Sequence, residues 1–319
     1  MNCVNPIYLK DRREFVPCGK CLPCRMRRSS DWSFRTLIEA RSSSTPGIFL
    51  TLTYSDDNIP TKDFTLEDYM SHPTFYRNLN DNEKALLTLD YTDEVYSITR
   101  QVLSKRDFQL FMYKVRKHYG KGIRYIACGE YGPTTLRPHY HAIFFNLPFS
   151  FDRLWKYKEI FEKLWTNGFI RVSFVNNNRI RYIAKYVTSS CVLPYFCQFG
   201  SYKPFLLNSR YFGLDFLTKN VERWICSDAS HNNFVCDDDI RRPIPRYYID
   251  KCYPDKKGKD LWFWEARKVK LQEIRNKLEI ERRARLDRLY GDNSAQMEFE
   301  EIKNYLDKYE SSFRKSRKL

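Results

Sequence analysis

The chain has 319 residues, enough for one large domain with attachments or for two modest ones, and at 42% hydrophobic and 16% aromatic it can bury a real core. A net charge of +16 points to a polyanionic partner, and the 23 Tyr and 23 Phe available for base stacking favour nucleic acid over an anionic membrane surface. No stretch is apolar for the ~18 residues a membrane span needs, and the opening MNCVNPIYLKDRREF lacks the apolar core of a signal peptide. A cytoplasmic protein is therefore expected, with its ten cysteines reduced or bound to metal rather than paired.

Residues 1–30 are basic and Cys-rich. Cys18, Cys21 and Cys24 follow a C-x2-C-x2-C spacing, with Gly19 and Pro23 permitting tight turns. Cys3 is the candidate for a fourth thiolate in a structural Zn2+ site; the alternative is a set of buried reduced thiols in a basic arm. Ser30 and Asp31 are candidate caps for a helix through WSFRTLIEAR. IFLTLTY at 48–54 alternates as a strand does. Residues 55–100, rich in Asp, Asn and Pro, read as a long, partly ordered insertion.

Ser104 with Asp107 forms a capping box for a helix that stops at Gly120. Strands follow at 123–130 and 139–145, joined by a turn rich in Gly, Pro and Thr. Asp152 opens an amphipathic helix to Trp165, 169–175 is a strand, and 179–190 is helical. Beyond about residue 225 the pattern weakens, except for a long charged helix over 260–290 and the basic ending RKSRKL. The hairpin requires antiparallel pairing, so the expected fold is α+β: an antiparallel sheet flanked by helices, with a Cys-rich arm and a basic helical extension. The expected divisions are 1–46, 47–225 with its insertion, and 226–319.

His139 and His141 lie two apart in a strand, so both imidazoles share one face and can meet one cation; two core or surface histidines would look the same. Glu130 ends the preceding strand, and hairpin pairing would bring it across from His139. Two imidazoles and a carboxylate suit Mg2+ or Mn2+ and also accept Zn2+. Tyr182 and Tyr186 share a helix face, with Lys185 beside Tyr182 and Arg179 and Arg181 nearby. They are placed either to attack a phosphate or to serve as ordinary amphipathic tyrosines.

FLTLTY, RPHYHAIFF and YIAKY, in that order, resemble the three motifs of the HUH endonucleases. The leader VPCGKCLPCRMRRSSDW, CGEYG and SRYFGLDFL narrow the resemblance to replication initiators of microvirus-type single-stranded DNA phages, the gokushovirus branch. The resemblance covers roughly residues 1–220. It implies an antiparallel-sheet nuclease in which His139 and His141, with Glu130 upstream, hold a divalent metal, Tyr182 and Tyr186 are nucleophiles, and Lys185 is the motif lysine. The implied activity is nicking of single-stranded DNA at a replication origin through a 5′-phosphotyrosine in the cytoplasm of a bacterial host. Host polymerase would extend the freed end. Unwinding would fall to a host helicase, since no GxxxxGK[ST] loop is present. The rival readings are a transposase or relaxase-type strand transferase and a non-catalytic, zinc-dependent nucleic-acid-binding protein.

Overall fold

The computed structural model describes residues 3–10, 14–71, 77, 79–88, 97–132, 134–148, 154–186, 195–198, 200–228, 234–237, 240–256 and 258–315. Their contacts form two units, Met1–Leu214 and Asp215–Leu319. The first unit holds a short hairpin, β1 (Ile7–Leu9) and β2 (Glu14–Val16), then α1 (Leu22–Ser42) and β3 (Ile48–Tyr54). Next come β4 (Thr61–Thr65), α2 (Leu66–Met70), α3 (Asp81–Thr88), β5 (Ser97–Gln101) and α4 (Lys105–Tyr119). It closes with β6 (Arg124–Tyr131), β7 (Pro138–Phe145), α5 (Leu154–Leu164), β8 (Gly168–Phe174), α6 (Asn177–Tyr186) and β9 (Phe205–Asn208).

Five of these strands form one sheet in the order β8-β3-β7-β6-β9. Every neighbouring pair in it is antiparallel, which is the fold class expected from the hairpin. Alternation divides each strand between two faces. One face carries Leu50, Leu52, Tyr54, Ala127, Tyr140, Ala142 and Phe144 against Phe108, Phe111 and Met112 of α4 and Phe161 of α5. The other carries Phe49, Ile126, Cys128, Ile143 and Phe145 against Ile180 and Ile183 of α6, with Trp32, Leu37 and Ala40 of α1 alongside.

Tyr140 fixes the register of β7. It is fully buried between the two histidines in sequence. Tyr54 Oη donates to Asp107 Oδ2 at 2.6 Å, which leaves Tyr140 Oη to donate to the Ser104 carbonyl at 2.5 Å while sitting 2.5 Å from Tyr54 Oη. These bonds tie the sheet to the start of α4, where Ser104 Oγ accepts from the Asp107 amide at 3.2 Å. A slip of one residue would drive His139 and His141 into the aromatic core and strand a phenol on the polar side.

α1 is anchored on the other face. Glu39, 3% exposed, pairs with Arg124 and accepts the Gly213 amide at 2.6 Å. Arg35 donates through Nη2 to the Phe212 carbonyl at 2.9 Å. Gly213 has φ +71° and lies so close to Arg35 that an added Cβ would stand 2.6 Å from its carbonyl oxygen, so glycine is required there.

Two expectations change. α1 is capped at Cys21, not at Ser30 or Asp31, because Pro23 suits the first turn and the apolar periodicity extends back through it. The 55–100 segment carries secondary structure: β4 and β5 pair, and Phe64, Tyr69, Leu79, Leu87, Ile98 and Val102 form a cluster of their own. Its polar turns hide that core from a periodicity reading.

The second unit contains α7 (Lys219–Ser227), the β10–β11 hairpin (Phe234–Asp237 with Ile240–Pro243), α8 (Arg246–Cys252), α9 (Leu261–Tyr290) and α10 (Ser294–Lys315). A boundary at 225 would cut α7, and the contacts divide the chain after Leu214 instead. The long charged helix expected over 260–290 is α9. It turns at Gly291–Asn293 into α10, bridged by Arg282 and Glu298 at 2.8 Å. Among the described residues, no helix is long and apolar enough to cross a membrane.

Replacing Tyr140 with Phe should cost about 1–3 kcal/mol, because it leaves the Ser104 carbonyl and Tyr54 without their buried partner. Urea unfolding of the two proteins measures it; equal midpoints would refute the role given to this phenol.

Candidate metal centre and its tyrosine

The β6–β7 register sets Glu130 opposite His139 and Cys128 opposite His141. Glu130, His139 and His141 therefore converge on the α6 side of the sheet, with ligand atoms all within 4.8 Å of one another. His139 Nε2 lies 2.7 Å and His141 Nε2 3.0 Å from the same Glu130 Oε1. Glu130 and His141 are 3% and 5% exposed, so these groups face one another with little water between them.

The outer nitrogens fix how the rings are used. His139 Nδ1 lies 3.0 Å from the Arg137 carbonyl, which can only accept, so Nδ1 carries the proton. His139 Nε2 then needs either a second proton or a cation to sit beside the Glu130 carboxylate. His141 Nδ1 is held by Thr51 Oγ1 at 3.0 Å, and this also leaves Nε2 facing inward. Outer partners of this kind orient metal-binding imidazoles. The donors present thus fit a divalent cation.

The charge states agree. Burial works against the Glu130 carboxylate, but its contacts with His139 and His141 prevail and hold it below the usual carboxylate range. Burial also opposes charge on His139, yet the hydrogen bond and charge of Glu130 raise it above an ordinary imidazole. His141 is held below the ordinary value, chiefly by burial. An ionised carboxylate and a neutral imidazole are the forms that ligate metal.

α6 brings Tyr182 to this cluster. Ile180, Ile183 and Ala184 are buried beneath the helix, which turns Tyr182 toward the histidines. Its hydroxyl lies 3.4 Å from His141 Nε2, and the two rings meet edge to face at 5.0 Å. Lys185 is half-buried on the same helix, and that burial lowers its ammonium from the ordinary value. Tyr186 ends α6, and its side chain lies outside the described residues, as does Val187.

Sequence reasoning missed three residues on this face. Thr51 orients His141. Phe169 and Arg171 stand beside Thr53 and Thr51 on the edge strand β8, both exposed, bordering the metal cluster with a ring and a cation. The alternation of FLTLTY marks Thr51 and Thr53 as one polar row, but nothing in the sequence says that β3 lies between β7 and β8. At the other end of the unit, Cys3 does join Cys18, Cys21 and Cys24, their sulfurs within 4.8 Å of one another.

Residues 84–190, which span all of these catalytic candidates, match the family model for replication-associated proteins of the ORF2 type. The chain is 26% identical over 288 residues to the replication-associated protein ORF2 of Spiroplasma virus 4, covering 87% of this chain and 79% of that one. It is 27% identical over 284 residues to the replication-associated protein VP4 of Bdellovibrio phage phiMH2K, covering 82% and 78%. It is 26% identical over 253 residues to the replication-associated protein ORF4 of Chlamydia phage 1, covering 74% and 53%. These are relatives of the kind the motifs implied. Among solved structures, the N-terminal nuclease domain of minute virus of mice non-structural protein 1 aligns at 9% identity over 57% of this chain and 73% of that one; a TM-score of 0.21 is too low to carry the fold.

The raised His139 gives the centre a pH signature. Below its folded pKa, His139 holds a proton that a metal must displace; above it, the nitrogen is open. Mn2+ should therefore bind more tightly at about pH 8 than at about pH 6, with proton release at the lower pH. Calorimetric titration in buffers of different ionisation enthalpy measures both, and an affinity flat across that interval would contradict the assignment.

Proposed function

We propose that the protein is a replication-initiating endonuclease that cuts single-stranded DNA at an origin by attack of a tyrosine hydroxyl. The observation that carries this reading is the Tyr182 hydroxyl, 3.4 Å from the His141 nitrogen that faces Glu130. A nucleophile and a metal-type donor set thus share one small site.

Glu130, His139 and His141 would hold the cation, Mg2+ or Mn2+ by their mix of carboxylate and imidazole, and when bound it supplies charge withdrawal from a phosphate oxygen. The Tyr182 oxygen attacks phosphorus. A bond forms from phosphorus to the phenol oxygen, the bond to the 3′ oxygen breaks, and that oxygen takes up a proton. The products are a 5′-phosphotyrosine and a free 3′-hydroxyl, which a host polymerase can extend. Lys185, three residues along the helix, sits where an ammonium can balance charge developing at Tyr182. Residues i and i+1 point about 100° apart, so its help to Tyr186 is poorer. Tyr186, one turn on, serves the second cut while Tyr182 still holds the first 5′ end. Because the covalent link keeps the phosphoester energy, a later attack by a 3′-hydroxyl rejoins the strand without ATP.

In this reading the work takes place in the cytoplasm of a bacterial host, with a host helicase unwinding the template. The sheet unit does the chemistry, and the exposed Phe169 and Arg171 border the path of the scissile strand.

His139→Ala and His141→Ala should each lower nicking by about two orders of magnitude or more while leaving DNA binding largely intact. Glu130→Ala should act in the same direction. Full nicking in both histidine variants would remove the metal assignment. The order of the tyrosines is tested separately, by incubating the protein with single-stranded DNA and Mn2+ and mapping the SDS-resistant adduct by mass spectrometry after one turnover. Tyr182→Phe should lose most of that adduct, whereas Tyr186→Phe should nick once and fail to close circles. An adduct mainly on Tyr186 would reverse the order, and no adduct at all would favour a non-catalytic binding protein.

A further inference from the structure

The N-terminal arm takes no part in the chemistry above, yet it is the most strongly organised polar cluster outside it. Cys21 caps α1 and Cys24 lies in its first turn. Cys18 stands just before them in the turn made by Gly19 at φ +72°. The amides of Lys20 and Cys21 both point at Cys18 Sγ, at 3.4 and 3.3 Å, and the Cys18 amide points at Cys3 Sγ at 3.2 Å. Amides aimed at sulfur stabilise thiolates, and the helix N-terminus adds its partial positive charge. Four sulfurs about 2.3 Å from one centre stand about 3.8 Å apart. Cys3 and Cys21 are 3.7 Å apart, close to that value and far beyond a disulfide bond. All four cysteines are free.

These thiolates surround a hairpin too small to stand alone. β1 and β2 are three residues each, and an isolated pair of short strands is marginal in water. Its outward side is apolar all the same. Tyr8 and Phe15 face each other across the ladder with ring centroids 5.1 Å apart, and they are 48% and 70% exposed. Lys10, Lys20, Arg27 and Arg28 around them are exposed. Residues 1–28 carry seven Lys and Arg against two acidic side chains. Exposed paired rings within a cationic field match the chemistry of unpaired DNA, whose bases stack and whose phosphates seek cations.

We infer that Cys3, Cys18, Cys21 and Cys24 bind one zinc ion that staples the hairpin to α1, and that the hairpin grips single-stranded DNA by stacking bases on Tyr8 and Phe15. The soft, all-sulfur donor set selects zinc over the hard cations suited to the histidine site. The grip is independent of origin sequence, since every base has a face to stack. The inference rests on the reading that single-stranded DNA is the substrate, and it adds a second hold on that strand away from the nicking site.

The test uses the full chain purified without chelator. Elemental analysis and the absorption of the cobalt-substituted protein report the thiolate site; one equivalent of zinc is expected, falling in Cys18→Ser and Cys24→Ser. Fluorescence anisotropy with a labelled oligothymidylate reports the grip. The Tyr8→Ala/Phe15→Ala variant, altered only at exposed rings, should keep its zinc and lose about tenfold in affinity. Phe15→Trp should keep the affinity. Less than about half an equivalent of zinc in the wild type overturns the staple, and unchanged affinity in the double alanine variant overturns the grip. Adduct formation separates this inference from the nuclease reading. Ring-dependent binding without an adduct leaves the arm standing and removes the nuclease, whereas an adduct with ring-independent binding does the reverse.

Discussion

Tyr140 is the constraint on which the rest depends. Its phenol is buried among aromatic side chains and bonded to the Ser104 carbonyl and to Tyr54, so β7 can meet β3 and β6 in one register only. A strand alternates, and a residue locked inward forces its two neighbours outward. His139 and His141 are on the same face because the residue between them cannot be anywhere else. The register then sets Glu130 opposite His139 and Thr51 opposite His141.

What gathers at that place calls for positive charge. A carboxylate at 3% exposure sits against two imidazole nitrogens, and a buried charge needs compensation. With His139 Nδ1 committed to a carbonyl, the inward nitrogen meets the carboxylate only through a proton or a metal. The burial that makes this carboxylate costly also makes the centre selective for a cation, and α6 delivers a phenol to its edge.

α1 links the two ends of the sheet unit. Its first turn carries Cys24, its middle packs beside α6, and Glu39 near its end holds Arg124 of β6. The backbone around Gly213 closes over it through Arg35, in a conformation no other residue would adopt comfortably. Among sequence features, SRYFGLDFL therefore has a plain physical reason: it is the strap that seats this helix.

Local pattern alone specified much of this. The alternation of 48–54 and 139–145, the Ser104 cap, the stop at Gly120 and the i, i+4 tyrosines depend on neighbours a few residues away, and they are legible because backbone geometry repeats at short range. So was the histidine pair, since a two-residue spacing in a strand leaves no choice of face. The sequence could not show where separate strands would lie, because strand order is decided by which apolar faces pack best across the whole sheet. That decided β8-β3-β7-β6-β9, and with it Thr51 as the partner of His141 and Phe169 and Arg171 as the border of the site. It also hid the core of residues 64–102, whose members are too far apart in the chain to show a period. Cys3 is the sharpest instance. Fifteen residues separate it from Cys18, and no spacing rule reaches across them; only the folding of the hairpin between brings its sulfur to the other three.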